Sequence, residues 1–184
     1  MKNLSTIEKL DKLSSEVPEL MQRIIDLWSK EVLFTWRWWF GFVLTILTWL
    51  FWYKTHKKES RYRLLTAGFF VMVVSVSFDS IGVQLGFWSY RFEVLPLIPA
   101  YLPYDVALMP VVVMSLIQFK PNSSPYLKGI LFGLLTAYIG EPIIVWLKIY
   151  KPIIWHFYYS IPIYFTIFLI AHWLTTRKYF TELS

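Results

Sequence analysis

Long apolar runs separated by short basic turns limit what this chain can fold into more than any other feature does. Five runs come close to the roughly 20 residues with which an α-helix crosses a bilayer. They cover residues 36–53, 64–83, 103–119, 126–147 and 155–174. Charged residues make up 16% of the chain, well below the roughly 25% of a soluble domain. The sequence therefore predicts an all-α fold, an integral membrane bundle of about five transmembrane helices.

The third run is the weakest of the five, because Asp105 and Pro110 interrupt it. A proline inside a helix removes a backbone hydrogen bond, and a carboxylate in lipid is costly. This run therefore either crosses the membrane fully or forms a re-entrant segment, and in the second case the bundle has four spans.

The basic residues predict how the bundle is oriented in the cell membrane. Loops rich in lysine and arginine stay in the cytoplasm, and the turn after the first run holds the densest group, Lys54, Lys57, Lys58, Arg61 and Arg63. With five alternating spans, the basic residues after the third and fifth runs fall on the same side. We therefore expect the N-terminus outside and the C-terminus in the cytoplasm. Because these turns hold much of the positive charge, the net charge of +6 indicates contact with the lipid bilayer rather than with nucleic acid.

Residues 1–35 differ from the bundle of residues 36–176 and the short tail of residues 177–184. Ser5 and Glu8 have the spacing of a helix capping box. Apolar side chains then recur every three or four residues, at Ile7, Leu10, Val17, Leu20, Ile24 and Leu27. Pro18 predicts a break near Val17. We expect an amphipathic helix on the membrane surface, and a helix that dimerises or docks on a partner is the alternative.

Ionisable residues lie inside the apolar runs, where they are rare and mark functional sites by default. Asp79 lies about 22 Å along the second run at 1.5 Å per residue. Glu141 lies at a similar distance along the fourth run, which points in the same direction. Asp105 and His156 open the third and fifth runs. Alternating spans therefore bring the four groups to one level near the outer leaflet, where a purely structural hydrogen bond between helices is the alternative to a functional site.

A buried carboxylic acid that stays neutral can donate a proton, and aromatic faces can stabilise a carbocation. We therefore predict catalytic roles for Asp79, Asp105 and Glu141. Substrate contacts are predicted for Gln84, Trp88, Tyr90, Trp146, His156 and Tyr159. The sequence has none of the motifs of zinc, phosphate-loop or serine-hydrolase sites, and we expect neither a metal nor a cofactor.

Three segments of the chain carry a resemblance to a known family. They read FDSIGVQLGFWSY, LPLIPAYLPYDVALMPVVVMSLIQF and AYIGEPIIVWLKIYKPIIWHFYYSIPIYF. Over residues 64–173 the chain resembles a family of small multi-pass membrane proteins of Bacillus- and Clostridium-type bacteria whose members have no assigned reaction. This resemblance implies an integral membrane protein and no particular chemistry.

An acid in a span, a Gly-x-Trp-x-Tyr segment and a Pro-x-acid step follow one another here as Asp79, GFWSY and PYD. This order resembles the small-subunit membrane lycopene cyclases, which carry an acidic pair where this chain has Asp105 alone. The resemblance implies acid-catalysed, cofactor-free chemistry on an isoprenoid or another lipid, by a cyclase- or isomerase-like enzyme. A proton- or cation-coupled carrier and a non-catalytic structural or interaction protein are the alternatives. A homo-oligomer is compatible with all three.

Overall fold

The computed structural model describes residues 5–177, and most of them are helical. The helices are α1 (Thr6–Glu31), α2 (Trp36–Thr55), α3 (Arg61–Gln84), α4 (Met109–Gln118), α5 (Pro125–Leu135), α6 (Glu141–Trp146) and α7 (Phe157–Thr175). One π-helical turn precedes α4 (Pro103–Leu108), and a second joins α5 to α6 (Thr136–Gly140). Two short strands are β1 (Trp88–Tyr90) and β2 (Tyr150–Pro152). The all-α prediction is confirmed, and the tail from residue 178 onward lies outside the described residues.

Three helical segments of the described chain are long and apolar enough to cross a membrane on their own. They are Lys58–Gln84, Pro125–Trp146 and Phe157–Thr175. α1 and α2 pass the same test as a pair bent by 95°, which gives up to four such spans in residues 5–177. The third predicted run is the shorter helix Pro103–Gln118, about 24 Å long against a hydrocarbon core of about 30 Å. The membrane bundle is thus confirmed, with this short helix among the longer ones.

The short helix lies in the middle of the bundle. Met109, Val113 and Met114 are buried, in one cluster with Leu64 of α3 and Phe168 of α7. Large apolar side chains instead stay exposed on the outer faces of α2, α3, α5 and α7. Because lipid is as apolar as these side chains, close packing and polar contacts hold the helices together, rather than removal from water.

Pro110 explains the irregular start of the short helix. A proline offers no N–H to the carbonyl four residues earlier, and its ring clashes with that carbonyl, which here belongs to Val106. The π-helical turn alters the helix at this point, and the indole of Trp49 on α2 donates a hydrogen bond to the Val106 carbonyl at 3.0 Å. An unpaired backbone carbonyl is costly in lipid. This bond therefore fastens α2 to the short helix.

α1 begins at the predicted capping box, where Ser5 Oγ accepts a hydrogen bond from the Glu8 N–H and Glu8 Oε2 accepts one from the Ser5 N–H. The predicted break at Pro18 is wrong, because α1 continues to Glu31. Pro18 deprives only the Ser14 carbonyl of its helical donor. No residue of α1 is buried, so a solvent molecule can bond that carbonyl instead.

The three basic regions of the sequence lie together at one end of the bundle, which we call the basic end. The Gln118 side chain accepts a hydrogen bond from the Lys57 N–H at 2.6 Å. Arg63 donates to the Thr175 carbonyl at the end of α7, at 3.0 Å. The structure thus brings these regions together at one end of the bundle, while their common side of the membrane and the orientation stay predictions.

The opposite end, which we call the strand end, carries β1 and β2. The strands pair antiparallel with Ser89 opposite Lys151, so they join the segment after α3 to the segment after α6. Arg37 at the start of α2 strengthens this junction by donating to the Leu147 carbonyl at 2.8 Å. The strand end therefore connects three helices of the bundle.

Candidate functional site

A cavity at the strand end contains the three acids that the sequence singles out. Asp79 on α3, Asp105 in the first π-helical turn and Glu141 at the start of α6 all line it. Asp105 and Glu141 are only 3% and 4% exposed. The cavity has a volume of about 60 Å³, which admits a few water molecules. The equal depth predicted for Asp79 and Glu141 is consistent with this common cavity.

Asp79 and Asp105 lie side by side in the cavity. The Asp79 carboxyl also accepts a hydrogen bond from the Tyr101 backbone N–H at 3.3 Å. Two carboxyl groups in contact in apolar surroundings cannot both carry a charge, so such a pair shares a proton. Burial, together with these acids, raises the pKa of the neighbouring Tyr90 hydroxyl well above its ordinary value. Tyr90 is therefore a neutral hydrogen-bond donor beside the pair.

Glu141 belongs to a second polar group on the same cavity. Its Oε1 accepts a hydrogen bond from the Tyr164 hydroxyl of α7 at 3.2 Å. The Tyr104 hydroxyl in turn donates to the Tyr164 oxygen at 3.4 Å, and Tyr104 directly precedes Asp105 in the π-helical turn. A line of hydrogen bonds therefore runs from Glu141 through two phenols, Tyr164 and Tyr104, along the same cavity.

Both π-helical turns carry an acid into the cavity. Asp105 lies inside the first turn, and Glu141 directly follows the second. Pro142 would clash with the Tyr138 carbonyl in a regular helix, as Pro110 would with the carbonyl four residues before it. Turns of this kind are frequent at functional sites. The two prolines, which interrupt the apolar runs in the sequence, thus coincide with the helix irregularities that position the acids.

Trp88 closes the cavity at the strand end. Its ring lies directly on Gly82 of α3, where any side chain would overlap it. It also meets the Trp155 ring edge to face, with 4.9 Å between centroids. Trp155 donates a hydrogen bond to the Ser160 hydroxyl at 2.9 Å. The position of Trp88 therefore requires glycine at residue 82.

Two buried carboxyl oxygens of the cavity have no hydrogen-bond partner within residues 5–177. They are Asp105 Oδ2 and Glu141 Oε2. Buried polar atoms are nearly always paired, and the exceptions include catalytic groups and ligand sites. These atoms are therefore able to accept or donate a hydrogen bond to a molecule in the cavity.

One wall of the cavity separates it from the surrounding lipid. Phe78 lines the cavity, yet 47% of it is exposed on the outside of α3. Ile144 and Ile163 line the cavity from α6 and α7 and are also partly exposed. These side chains are apolar and form no hydrogen bonds, so only van der Waals contacts hold this wall in place.

No family model, no curated protein and no solved structure matches the chain. The two resemblances described above therefore stay expectations, and the chemistry is inferred from the cavity itself. In the part of the chain that the structure describes, no group of three or more His, Cys, Asp or Glu side chains could hold a metal ion. The expected absence of a metal and of a cofactor stays a prediction.

Trp88 and Tyr90 line the cavity together with the acids, but the other residues predicted to contact substrate lie elsewhere. These are Gln84, Trp146, His156 and Tyr159, all of them exposed and outside the cavity lining. A helix turns about 100° per residue, so Tyr159 faces outward although the adjacent Ser160 lines the cavity. Trp146 is 79% exposed on the outside of α6.

Sequence reasoning missed several residues of the cavity lining, among them Tyr150, Ser160 and Tyr164. Ser160 and Tyr164 share one face of α7 with Ile163 and Ile167, at the spacing of three and four residues that identifies a helix face. That spacing could have found them. Tyr150 reaches the cavity through the pairing of β1 with β2, for which strands of three residues give no sequence signal.

Proposed function

We propose that the protein is a membrane enzyme that transfers a proton from its buried acids to an isoprenoid or a similar lipophilic substrate. The observation that carries this proposal is the contact of Asp79 with Asp105 on an apolar cavity that Glu141 also lines. A carboxyl pair that shares one proton holds an acid able to protonate a double bond without a cofactor.

The proposed reaction keeps all atoms of the substrate. One carboxyl of the pair gives its proton to an alkene carbon, and the adjacent carbon becomes a carbocation. The faces of Trp88, Tyr90 and Tyr150 line the cavity and stabilise this cation by cation–π attraction. The cation then loses a different proton to a carboxylate, either directly or after it has bonded to a second double bond and passed its charge to the carbon beyond. The net change is a cyclisation or an isomerisation that needs neither oxidant nor reductant.

The substrate enters from the bilayer in this proposal. A whole isoprenoid chain exceeds the cavity volume of about 60 Å³, so only its reacting end passes the apolar wall at Phe78 and Ile163. The remainder of the chain stays among the lipids. Entry therefore requires these side chains to move apart, whereas the acids stay in place.

The experiment uses D₂O, because the proton that the acids deliver comes from the solvent. Purified protein in lipid nanodiscs is incubated in D₂O with lycopene and with a lipid extract of the source cells. We expect a product one mass unit heavier than the substrate, absent from nanodiscs without protein and strongly reduced in at least one of the variants Asp79→Asn and Glu141→Gln. Absence of deuterium from every lipid, with stably folded protein, would contradict the enzymatic proposal.

The small cavity favours a second candidate, a proton-coupled carrier. A volume of about 60 Å³ suits water and protons better than a lipid, and intramembrane acids form proton relays in transporters. In that case liposomes that contain the protein collapse a pH gradient faster than empty liposomes, and Tyr164→Phe slows this flux by interrupting the line from Glu141. Equal rates with and without protein would exclude a proton flux through the cavity that needs no cargo.

We propose further that the strand end faces outward and the basic end faces the cytoplasm, since the basic turns support that orientation. A reporter inserted near Phe92 is then external, and one fused to the C-terminus is cytoplasmic. The opposite pair of results would reverse the orientation and leave the cavity unchanged. Two reporters on the same side would contradict the number of spans.

A further inference from the structure

A groove on the outside of the bundle lies between α2 and α4, far along these helices from the acidic cavity. α2 packs mainly on the π-helical turn before α4 and only lightly on α4 itself, so the two helices separate towards the basic end. The groove that results has a volume of about 820 Å³, within the range of roughly 300–1,000 Å³ of ligand sites. Its apolar walls include Leu47, Phe51, Val112, Leu116 and Phe119.

Two lysines stand where this groove meets the basic end. Lys57 and Lys120 are both exposed and both line it, while the lining contains no acid among the residues described. An apolar groove that ends in two positive charges is complementary to a molecule with a long hydrocarbon chain and an anionic head. Basic pockets between transmembrane helices bind anionic lipids in this way.

The backbone around both lysines is held in place by polar contacts. The Lys57 N–H donates to Gln118 Oε1 at 2.6 Å, and Gln118 Nε2 donates to the Thr55 carbonyl at 3.0 Å. The buried Lys128 donates from Nζ to the Lys120 carbonyl at 3.0 Å. These contacts join the ends of α2, α4 and α5, so the two cations project from fixed points at the mouth of the groove.

We propose that the groove between α2 and α4 binds an anionic phospholipid of the bilayer, whose acyl chain lies along the apolar walls and whose phosphate pairs with Lys57 and Lys120. The groove and the acidic cavity share no lining residue. The proposal therefore holds whether the cavity belongs to an enzyme, a carrier or a structural protein.

Native mass spectrometry of delipidated protein tests the proposal with two lipids, dioleoylphosphatidylglycerol and dioleoylphosphatidylcholine. We expect preferential binding of the anionic lipid. Each lysine contributes about fivefold to this preference, so Lys57→Gln with Lys120→Gln weakens it about 25-fold. The control variant Lys151→Gln removes one exposed positive charge at the strand end and should keep the wild-type preference. Equal affinity for both lipids, or an unchanged preference in the double variant, would overturn the proposal.

Filling the groove tests the acyl chain separately from the head group. Val112→Trp places an indole in the groove and should reduce binding of both lipids at least tenfold. Val73→Trp on the exposed face of α3 is the matched control and should leave binding unchanged. If instead a second copy occupies the groove, Val112→Trp turns a dimer into a monomer and leaves lipid binding unaltered, which would refute the lipid site. Circular dichroism confirms the fold of each variant, and the exposed lysine variants provide the test if Val112→Trp does not fold.

Discussion

The hydrogen bond from Trp49 to the Val106 carbonyl should stabilise the fold because Pro110 has no N–H to donate to that carbonyl. Trp49→Phe removes the side-chain donor of this carbonyl, and an unpaired carbonyl in apolar surroundings costs about 1–3 kcal/mol. Pro110→Ala restores an N–H at residue 110 that can bond the Val106 carbonyl along the helix. Trp49→Phe should therefore destabilise the Pro110→Ala protein less than it destabilises the wild type.

We expect a coupling energy of about 1 kcal/mol between Trp49 and Pro110, since hydrogen bonds between transmembrane helices average somewhat below this value and reach about 1.7. The single variants also lose packing, because Pro110 is fully buried. A double-mutant cycle subtracts those losses when they are independent.

The assay is reversible unfolding in mixed SDS micelles, followed by circular dichroism, for the wild type, both single variants and the double variant. Trp146→Phe with Pro110→Ala forms the control cycle, because Trp146 is 79% exposed, and its effects should add. Additive effects for Trp49 and Pro110 as well, within about 0.3–0.5 kcal/mol, would refute the reasoning about the unpaired carbonyl.

Two further predictions concern the strand end. Gly82→Ala should displace Trp88 from the cavity, lower activity at least tenfold and change the tryptophan fluorescence. Gly140→Ala is the control, because its added Cβ meets nothing closer than 3.9 Å, and it should leave activity and fluorescence unchanged. Burial, together with the charge of Asp79, raises the pKa of Glu93 from 4.5 to about 7. The folded state therefore binds this proton more tightly than the unfolded state, so its contribution to stability is complete below about pH 4.5 and is lost as the pH rises through about 7. The melting temperature of the wild type should fall between pH 5 and pH 8 by more than that of Glu93→Gln. Equal falls would contradict the partly buried position of the Glu93 carboxyl.

Hydropathy predicted much of the fold, because the length of an apolar run is set by the thickness of the bilayer. The runs at 36–53, 64–83, 126–147 and 155–174 correspond to α2, α3, the α5–α6 segment and α7. The depth argument likewise placed Asp79 and Glu141 together, since it needs only the helical rise and alternating directions. The predicted break at Pro18 was wrong because the carbonyl that loses its helical donor, that of Ser14, lies on an exposed helix and can bond solvent instead.

The parts that sequence could not predict depend on contacts between distant segments. The pairing of Ser89 with Lys151 joins segments that are far apart in the sequence, and no local sequence pattern predicts it. The sequence also could not predict which way each aromatic side chain points from its helix, because aromatic residues are common on every face of this protein. Trp146 therefore lies outside the cavity, whereas Tyr164, which was not singled out, bonds Glu141.

The acids themselves provide the most direct test of the proposed function. Asp79→Asn and Glu141→Gln keep the size and hydrogen-bonding capacity of each side chain but remove the proton that it can donate. We predict that at least one of them lowers deuterium transfer or proton flux by 100-fold or more, the range of a lost general acid. The melting temperature should change by only a few degrees, because an interhelical hydrogen bond contributes about 1–2 kcal/mol or less. Asp26→Asn, on the exposed helix α1, should behave as the wild type. Full activity in both amide variants would contradict the enzyme and the carrier together. The acids would then serve only to form hydrogen bonds between helices.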